Sequence, residues 1–127
     1  MNGARDILDY IENLGAIQII VSSCQKDRIL SCLERFKIKD KFALVSGADN
    51  NLAESKIERA AQSLKMLNGA PSKILVIGDM VHDYEMASAL NADCVLIPDG
   101  QQNIDALRET GAFILPHITD IPDFIKP

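Results

Sequence analysis

Short apolar runs alternate with amphipathic stretches along the whole chain, and this alternation limits the possible folds more than any other feature. The runs are rich in Ile, Val and Leu with little polar alternation, which is typical of strands buried on both faces of a parallel sheet. They cover Ala16–Val21, Phe42–Val45, Lys73–Ile77, Cys94–Ile97 and Phe113–Leu115. The alternation predicts an α/β fold with a doubly wound, mostly parallel sheet and right-handed crossover connections.

The stretches between the runs carry apolar residues at the spacing of an amphipathic helix, and we expect each stripe to face the core. A glycine directly after a stripe, as at Gly15 and Gly111, predicts the end of a helix. A last short helix is expected after Pro122. The stripes are Ile7, Leu8, Ile11 and Leu14; Ile29, Leu30, Leu33 and Phe36; Ile57, Ala60, Ala61 and Leu64; Met86, Ala87 and Leu90; and Ile104 with Leu107.

Size and charge narrow the classes of function. A chain of 127 residues and 13.9 kDa predicts a single domain over residues 1–127 with its own core. The net charge of −5 disfavours nucleic acid as a partner. The apolar runs are far shorter than the roughly 20 residues of a membrane span, so no membrane is expected. Three cysteines without a Cys-x-x-Cys spacing predict free thiols and a cytoplasmic location.

Two serines stand at the end of the first predicted strand. Ligands of open parallel sheets bind beyond the carboxyl ends of the strands, so polar residues at these ends are candidate site residues. Ser22 and Ser23 follow Val21 and directly precede the second helix. Hydroxyls and backbone amides at the start of a helix suit an anion such as phosphate. The alternative is an ordinary N-cap, in which a serine oxygen accepts a backbone N–H.

Two acids and one lysine stand at later strand ends and helix starts. Asp79 and Asp83 follow the third strand after Gly78, where carboxylates suit Mg²⁺, which takes few protein oxygens and keeps several waters. The alternative is that Asp79 caps the helix and Asp83 is a solvated acid of its first turn. Lys56 opens a helix, where its charge opposes the helix dipole unless an anion lies nearby. The alternative is an ordinary surface lysine.

In this order, the motifs resemble those of the haloacid dehalogenase-like (HAD) superfamily of hydrolases, most of all its phosphoglycolate phosphatase-like branch. Ile19–Ser23 resembles the second motif of the family, Glu54–Lys56 the third, and Gly78–Ala87 the acidic fourth. The Gly47–Asn50 loop and the Ala92–Ile97 run are supporting matches.

The resemblance implies a Mg²⁺-dependent hydrolase of phosphate monoesters with a small phosphorylated metabolite as substrate. It assigns Ser22, the Ser23 amide and Lys56 to the phosphate, and Asp79 and Asp83 to the metal. The loop of residues 99–102 is expected near the site without a readable role.

The first motif of the family, an Asp-x-Asp whose first aspartate attacks phosphorus, has no counterpart, because no Asp-x-Asp occurs in the chain. The cap domain of the family has no counterpart either. Phosphoryl transfer through a covalent intermediate needs a positioned nucleophile, so this chain alone is expected to be inactive, with Mg²⁺ binding weakened or lost.

In the family, the strand that carries the first motif lies between the Ala16–Val21 and Lys73–Ile77 strands. Without it, those two strands pair directly, or a second copy fills the gap, or the fold is weakly stable; we expect self-association.

A second class of function is compatible with the same motifs. A non-catalytic module that binds phosphate or Mg²⁺, or a regulatory module derived from the same fold, remains the alternative. A response-regulator receiver is rejected, because no acidic pair follows the first strand and no lysine follows the fifth. His82 and His117, the only histidines, lack the partners that a zinc site needs.

Overall fold

The computed structural model describes residues 3–48, 56–67, 73–98 and 103–125, and helices and strands alternate in these ranges as predicted. The helices are α1 (Ala4–Asn13), α2 (Lys26–Arg35), α3 (Lys56–Lys65), α4 (Val81–Ala89), α5 (Ile104–Glu109) and α6 (Ile121–Phe124), with 3₁₀ turns at Lys39–Lys41 and Ile118–Asp120. The strands are β1 (Ile19–Gln25), β2 (Leu44–Ala48), β3 (Leu75–Gly78), β4 (Asp93–Leu96) and β5 (Phe113–Ile114). Each predicted apolar run overlaps a strand. None of the helices in the described ranges is long and apolar enough to cross a membrane.

The chain forms two compact units, residues 1–70 and residues 71–127. In the first unit, β1 and β2 form a parallel pair whose register runs from Ile19 opposite Leu44 to Val21 opposite Ser46. The register then shifts before Gln25, so the three residues that precede Gln25 have no aligned partner in β2. The single domain and the self-association stay predictions.

The second unit is built around β4, which pairs in parallel with β3 on one side and with β5 on the other. Val95 and Leu96 of β4 are fully buried, as is Leu107 of α5. Ala87 of α4 forms one hydrophobic cluster with Leu96 and Leu107. A strand with neighbours on both edges and helices against it needs apolar residues on both faces, which is the pattern of the sequence here.

Not every apolar residue of the predicted runs and stripes is buried. Ile77 of β3 is 40% exposed, and within the described residues β3 pairs on one edge only, with β4. Burial of every strand on both faces was therefore the wrong expectation. Phe36, the C-cap of α2, is 50% exposed, and the Arg35 guanidinium lies 5.7 Å from the centre of its ring.

A lysine ties α1 to the 3₁₀ turn that precedes β2. Nζ of Lys41 lies 2.6 Å from Oδ1 of Asp9 and 3.3 Å from Oε1 of Glu12. The Lys41 side chain is largely buried, whereas both carboxylates are about half exposed. The hydrogen bond to Lys41 lowers the pKa of Asp9, and the hydrogen bonds to Asp9 and Glu12 raise the pKa of Lys41.

We expect this ion pair to make the stability of the first unit depend on pH at both extremes. The stabilisation is lost as the pH falls below the ordinary pKa of Asp9, 3.8, and on through the lowered pKa of the folded chain, where its carboxylate takes up a proton. It is also lost as the pH rises above the ordinary pKa of Lys41, 10.5. Lys41→Met should therefore lower the free energy of unfolding between these limits, and less outside them, in urea titrations.

Lys39→Met is the matched control, because Lys39 and its partner Glu34 are both more than half exposed. Exposed ion pairs contribute little to stability. An equal loss of stability in the two variants, or a loss in Lys41→Met that does not vary with pH, would contradict the prediction.

Candidate functional site

Ser22 stabilises a turn at residues 22–24 of β1, where the strand shifts out of register with β2. We call this segment the serine turn. The Oγ of Ser22 accepts a hydrogen bond from the backbone N–H of Cys24 at 3.1 Å, a bond from a side chain to the backbone two residues later. The N-cap of α2 is Gln25, and no side chain caps this helix. Interpreting the serines as an ordinary N-cap is therefore wrong, and Ser22 instead holds the end of its own strand.

The close approach of β2 to the serine turn requires a glycine. A Cβ atom at Gly47 would lie 2.6 Å from both N and Cα of Lys26 and 2.9 Å from the carbonyl oxygen of Cys24. These distances are shorter than a carbon atom permits, so only glycine fits. A glycine inside an apolar strand run is the sequence signal for such an approach.

Helix α3 brings positive charge to the first unit, and one of its side chains contacts the serine turn. Lys56 is the first residue of α3 and is half-buried. Arg59, one turn later, donates from Nη1 to the carbonyl oxygen of Ser22 at 2.8 Å. No motif in the sequence marks Arg59, because it occupies an unremarkable position between an acid and an alanine in an amphipathic helix.

In the second unit, Asp83 holds the turn that follows β3. Although it lies in the first turn of α4, Asp83 is only 5% exposed. Its Oδ2 accepts hydrogen bonds from the backbone N–H of Asp79 at 3.1 Å and of Met80 at 3.2 Å. The N-cap of α4 is Met80. Interpreting Asp83 as a solvated acid and Asp79 as the N-cap of α4 is therefore wrong in both cases. The two acids instead lie in one turn, where the Asp79 N–H donates to the Asp83 carboxylate.

Gly78 and Cys94 show how tightly Asp83 is enclosed. A Cβ atom at Gly78 would overlap the carboxyl group of Asp83, so the carboxyl group packs directly on the strand end. Burial raises the pKa of the Cys94 thiol to about 11, and the negative charge of Asp83 contributes to the rise. Cys94 is thus a protonated, unreactive thiol at neutral pH. The predicted free thiols are confirmed, with Cys24 and Cys32 exposed.

Asp79 and Asp83 provide some, but not all, of the oxygen ligands that a Mg²⁺ ion takes. Within the described ranges, no three His, Cys, Asp or Glu side chains come together as a metal-binding group. Mg²⁺ does not need three, since it often takes one or two carboxylates and keeps several waters. Oδ2 of Asp83 accepts two N–H groups, and Asp79 is half-buried at the end of the strand.

An open groove of about 360 Å³ lies on α2, away from the predicted site residues. Every residue that lines it belongs to this one helix, and all are exposed. It contains none of the serines, the lysine or the acids of the strand ends. Asp49 and Asn50 of the supporting loop, Glu54 and Ser55 of the third motif, and the loop of residues 99–102 lie outside the described residues.

Comparison with known proteins places the chain in a family. The sequence profile described as haloacid dehalogenase-like hydrolase matches residues 1–97. The tyrosine-protein kinase PtkA of Mycobacterium tuberculosis and that of Mycobacterium bovis are each 24% identical over 123 residues. The match covers 96% of this chain and 42% of the length of these relatives.

Solved structures agree with this chain in fold. A protein from Clostridium difficile superposes with a TM-score of 0.90 at 19% identity, over 98% of this chain and 60% of that chain. A haloacid dehalogenase-like hydrolase from Streptococcus pneumoniae gives 0.86 at 16% identity, over 99% of this chain and 60% of that one. The doubly wound α/β fold predicted from the sequence is confirmed.

Asp83→Asn should lower the free energy of unfolding of the second unit by about 1–3 kcal/mol. The asparagine loses the negative charge to which the two N–H groups donate, so both hydrogen bonds are weakened. Asp93→Asn is the matched control, because Asp93 is exposed on the next strand. Urea unfolding followed by circular dichroism measures both variants, and equal stability of the two would contradict the assigned role.

Proposed function

The chain belongs to the haloacid dehalogenase-like hydrolase family, and we propose that it binds phosphate and Mg²⁺ without carrying the aspartate nucleophile. The proposed phosphate ligands are Ser22, the Ser23 amide and Lys56 in the first unit. The proposed Mg²⁺ residues are Asp79 and Asp83 in the second. The observation that carries the proposal is the turn after β3, where one buried carboxylate holds two backbone N–H groups.

The end of β1 has the donors and the charge that a phosphate needs. Its backbone is outside the regular register with β2, and one peptide of the turn is held by the Ser22 hydroxyl. Lys56 and Arg59 place two cations on the first turns of the helix that contacts this strand end. A local site of this kind does not depend on the net charge, which remains negative. The ligand class that fits is a small phosphorylated metabolite.

The turn after β3 supports a separate role for each acid in Mg²⁺ binding. Asp83 keeps the backbone of Asp79 and Met80 in place through its Oδ2. Asp79 is thereby held at the strand end, where it offers a half-buried carboxylate. A Mg²⁺ ion held there would supply positive charge at the end of β3. With so few carboxylates the affinity is expected to be low, because Mg²⁺ gives up its water reluctantly.

Within the described residues, neither Asp83 nor Cys94 fits the role of the nucleophile. The sequence contains no Asp-x-Asp. Asp83 is buried and bound to backbone N–H groups, and the raised pKa of Cys94 keeps its thiol protonated at neutral pH. We therefore propose that the chain alone does not hydrolyse phosphate esters. Its function is then binding or regulation through the retained parts of the site, in a cytoplasmic setting.

The test combines Mg²⁺ binding with turnover. Isothermal titration calorimetry should detect weak Mg²⁺ binding by the unaltered chain, reduced roughly tenfold or more in Asp79→Asn. The same protein should hydrolyse an aryl phosphate no faster with Mg²⁺ than the buffer does, because it lacks a nucleophile.

Asp93→Asn is the control for the loss of one negative charge and should bind Mg²⁺ like the unaltered chain. Equal Mg²⁺ binding by all three proteins would reject the metal assignment. Turnover that requires Mg²⁺ and disappears in Asp79→Asn would reject the proposed lack of catalysis. Circular dichroism of each sample shows whether the protein is folded.

A further inference from the structure

Arg59 of α3 has a half-buried cationic side chain that contacts the end of β1. Its Nη1 donates to the carbonyl oxygen of Ser22, 37 positions earlier, at 2.8 Å. None of the ion pairs within the described ranges includes Arg59. The guanidinium thus binds a backbone carbonyl and brings its positive charge to the strand end.

The bond to Ser22 also determines the direction of the next backbone N–H. The carbonyl of Ser22 and the N–H of Ser23 belong to one planar trans peptide and point in opposite directions. Fixing the oxygen on the guanidinium fixes the N–H on the other side of the same plane. The hydroxyl of Ser22 holds the following peptide through the N–H of Cys24. Two consecutive peptide planes of the turn are thus held by side chains.

The strand ladder does not hold this turn in regular register. The register between β1 and β2 shifts between Val21 and Gln25, so the residues of the turn have no aligned partner in the ladder. Strand ladders normally hold the direction of each peptide, and here that support is interrupted. The hydrogen bond from Arg59 of α3 holds the direction of the Ser22–Ser23 peptide instead.

Helix α3 carries Arg59 in a fixed place. Ser63, which is 6% exposed, donates from Oγ to the carbonyl oxygen of Arg59 at 2.9 Å. Lys56 lies one turn before Arg59, at the start of the same helix. The helix that positions the Ser22–Ser23 peptide therefore also carries the lysine assigned to the phosphate.

We propose that Arg59 is a positioning residue, which directs the N–H of Ser23 toward a phosphate bound at the end of β1. This inference rests on the proposed phosphate binding of Ser22, Ser23 and Lys56. Arg59 acts through the peptide between the two serines, and its positive charge adds to the attraction of the anion. Loss of the guanidinium leaves the peptide free to turn, so the N–H is no longer held in the binding direction.

The experiment titrates the full chain with inorganic phosphate and follows its backbone amides by NMR. Arg59→Met keeps the length of the stem and removes the donors, and we expect it to weaken phosphate binding by about tenfold or more. Arg59→Lys keeps one cationic donor and should restore part of the affinity. Lys65→Met is the matched control, since it removes one positive charge from an exposed position on α3. It should bind like the unaltered chain.

A second readout separates positioning from phosphate binding. Without phosphate, Arg59→Met should shift the amide resonance of Ser23 and speed its hydrogen exchange, while Lys65→Met leaves both unchanged. If the unaltered chain binds no phosphate, the proposed function fails, and the Ser23 amide alone then decides the role of Arg59. An unchanged Ser23 amide in Arg59→Met and Arg59→Lys overturns the proposal. If Arg59→Met does not fold, Arg59→Ala takes its place, and a Ser23 amide in Arg59→Ala that matches that of Lys65→Met overturns the proposal.

Discussion

The peptide groups at the ends of parallel strands are the constraint on which the rest of this structure depends. A strand that stops pairing leaves N–H and C=O groups that must find other partners, because unpaired polar groups are costly once they leave water. In both units several of these partners are side chains. Arg59 and the Ser22 hydroxyl serve the end of β1, and the Asp83 carboxylate serves the end of β3.

Because strand-end peptides need hydrogen-bond partners, residues proposed to bind ligands also stabilise the backbone of the two turns. Asp83 binds two backbone N–H groups and packs on Gly78, so its carboxylate defines the turn that presents Asp79. Ser22 likewise binds the backbone of its own turn. A site whose backbone is held before the ligand arrives needs little reorganisation on binding, which favours affinity. This preorganisation supports the proposed binding of phosphate and Mg²⁺ at the two turns.

The sequence predicted the fold well and the strand-end contacts poorly. Apolar runs and helical stripes located the strands and helices, because burial leaves a periodic pattern in the sequence. The burial of Asp83 could not be predicted, since an acid in the first turn of a helix is usually solvated. Arg59 could not be found either, because its partner is a carbonyl group far away in sequence. The exposure of Ile77 depends on how many strands flank β3, which its own run does not encode.

The most direct measurement is a map of backbone amide shifts during two titrations of the unaltered chain, one with inorganic phosphate and one with Mg²⁺. Strand-end turns that are held ready for these ligands predict that phosphate shifts the amides of Ser22, Ser23 and Cys24. Mg²⁺ should shift those of Asp79 and Met80. Shifts confined to exposed lysines and acids elsewhere, or no shifts with either ligand, would contradict a binding role for the two turns.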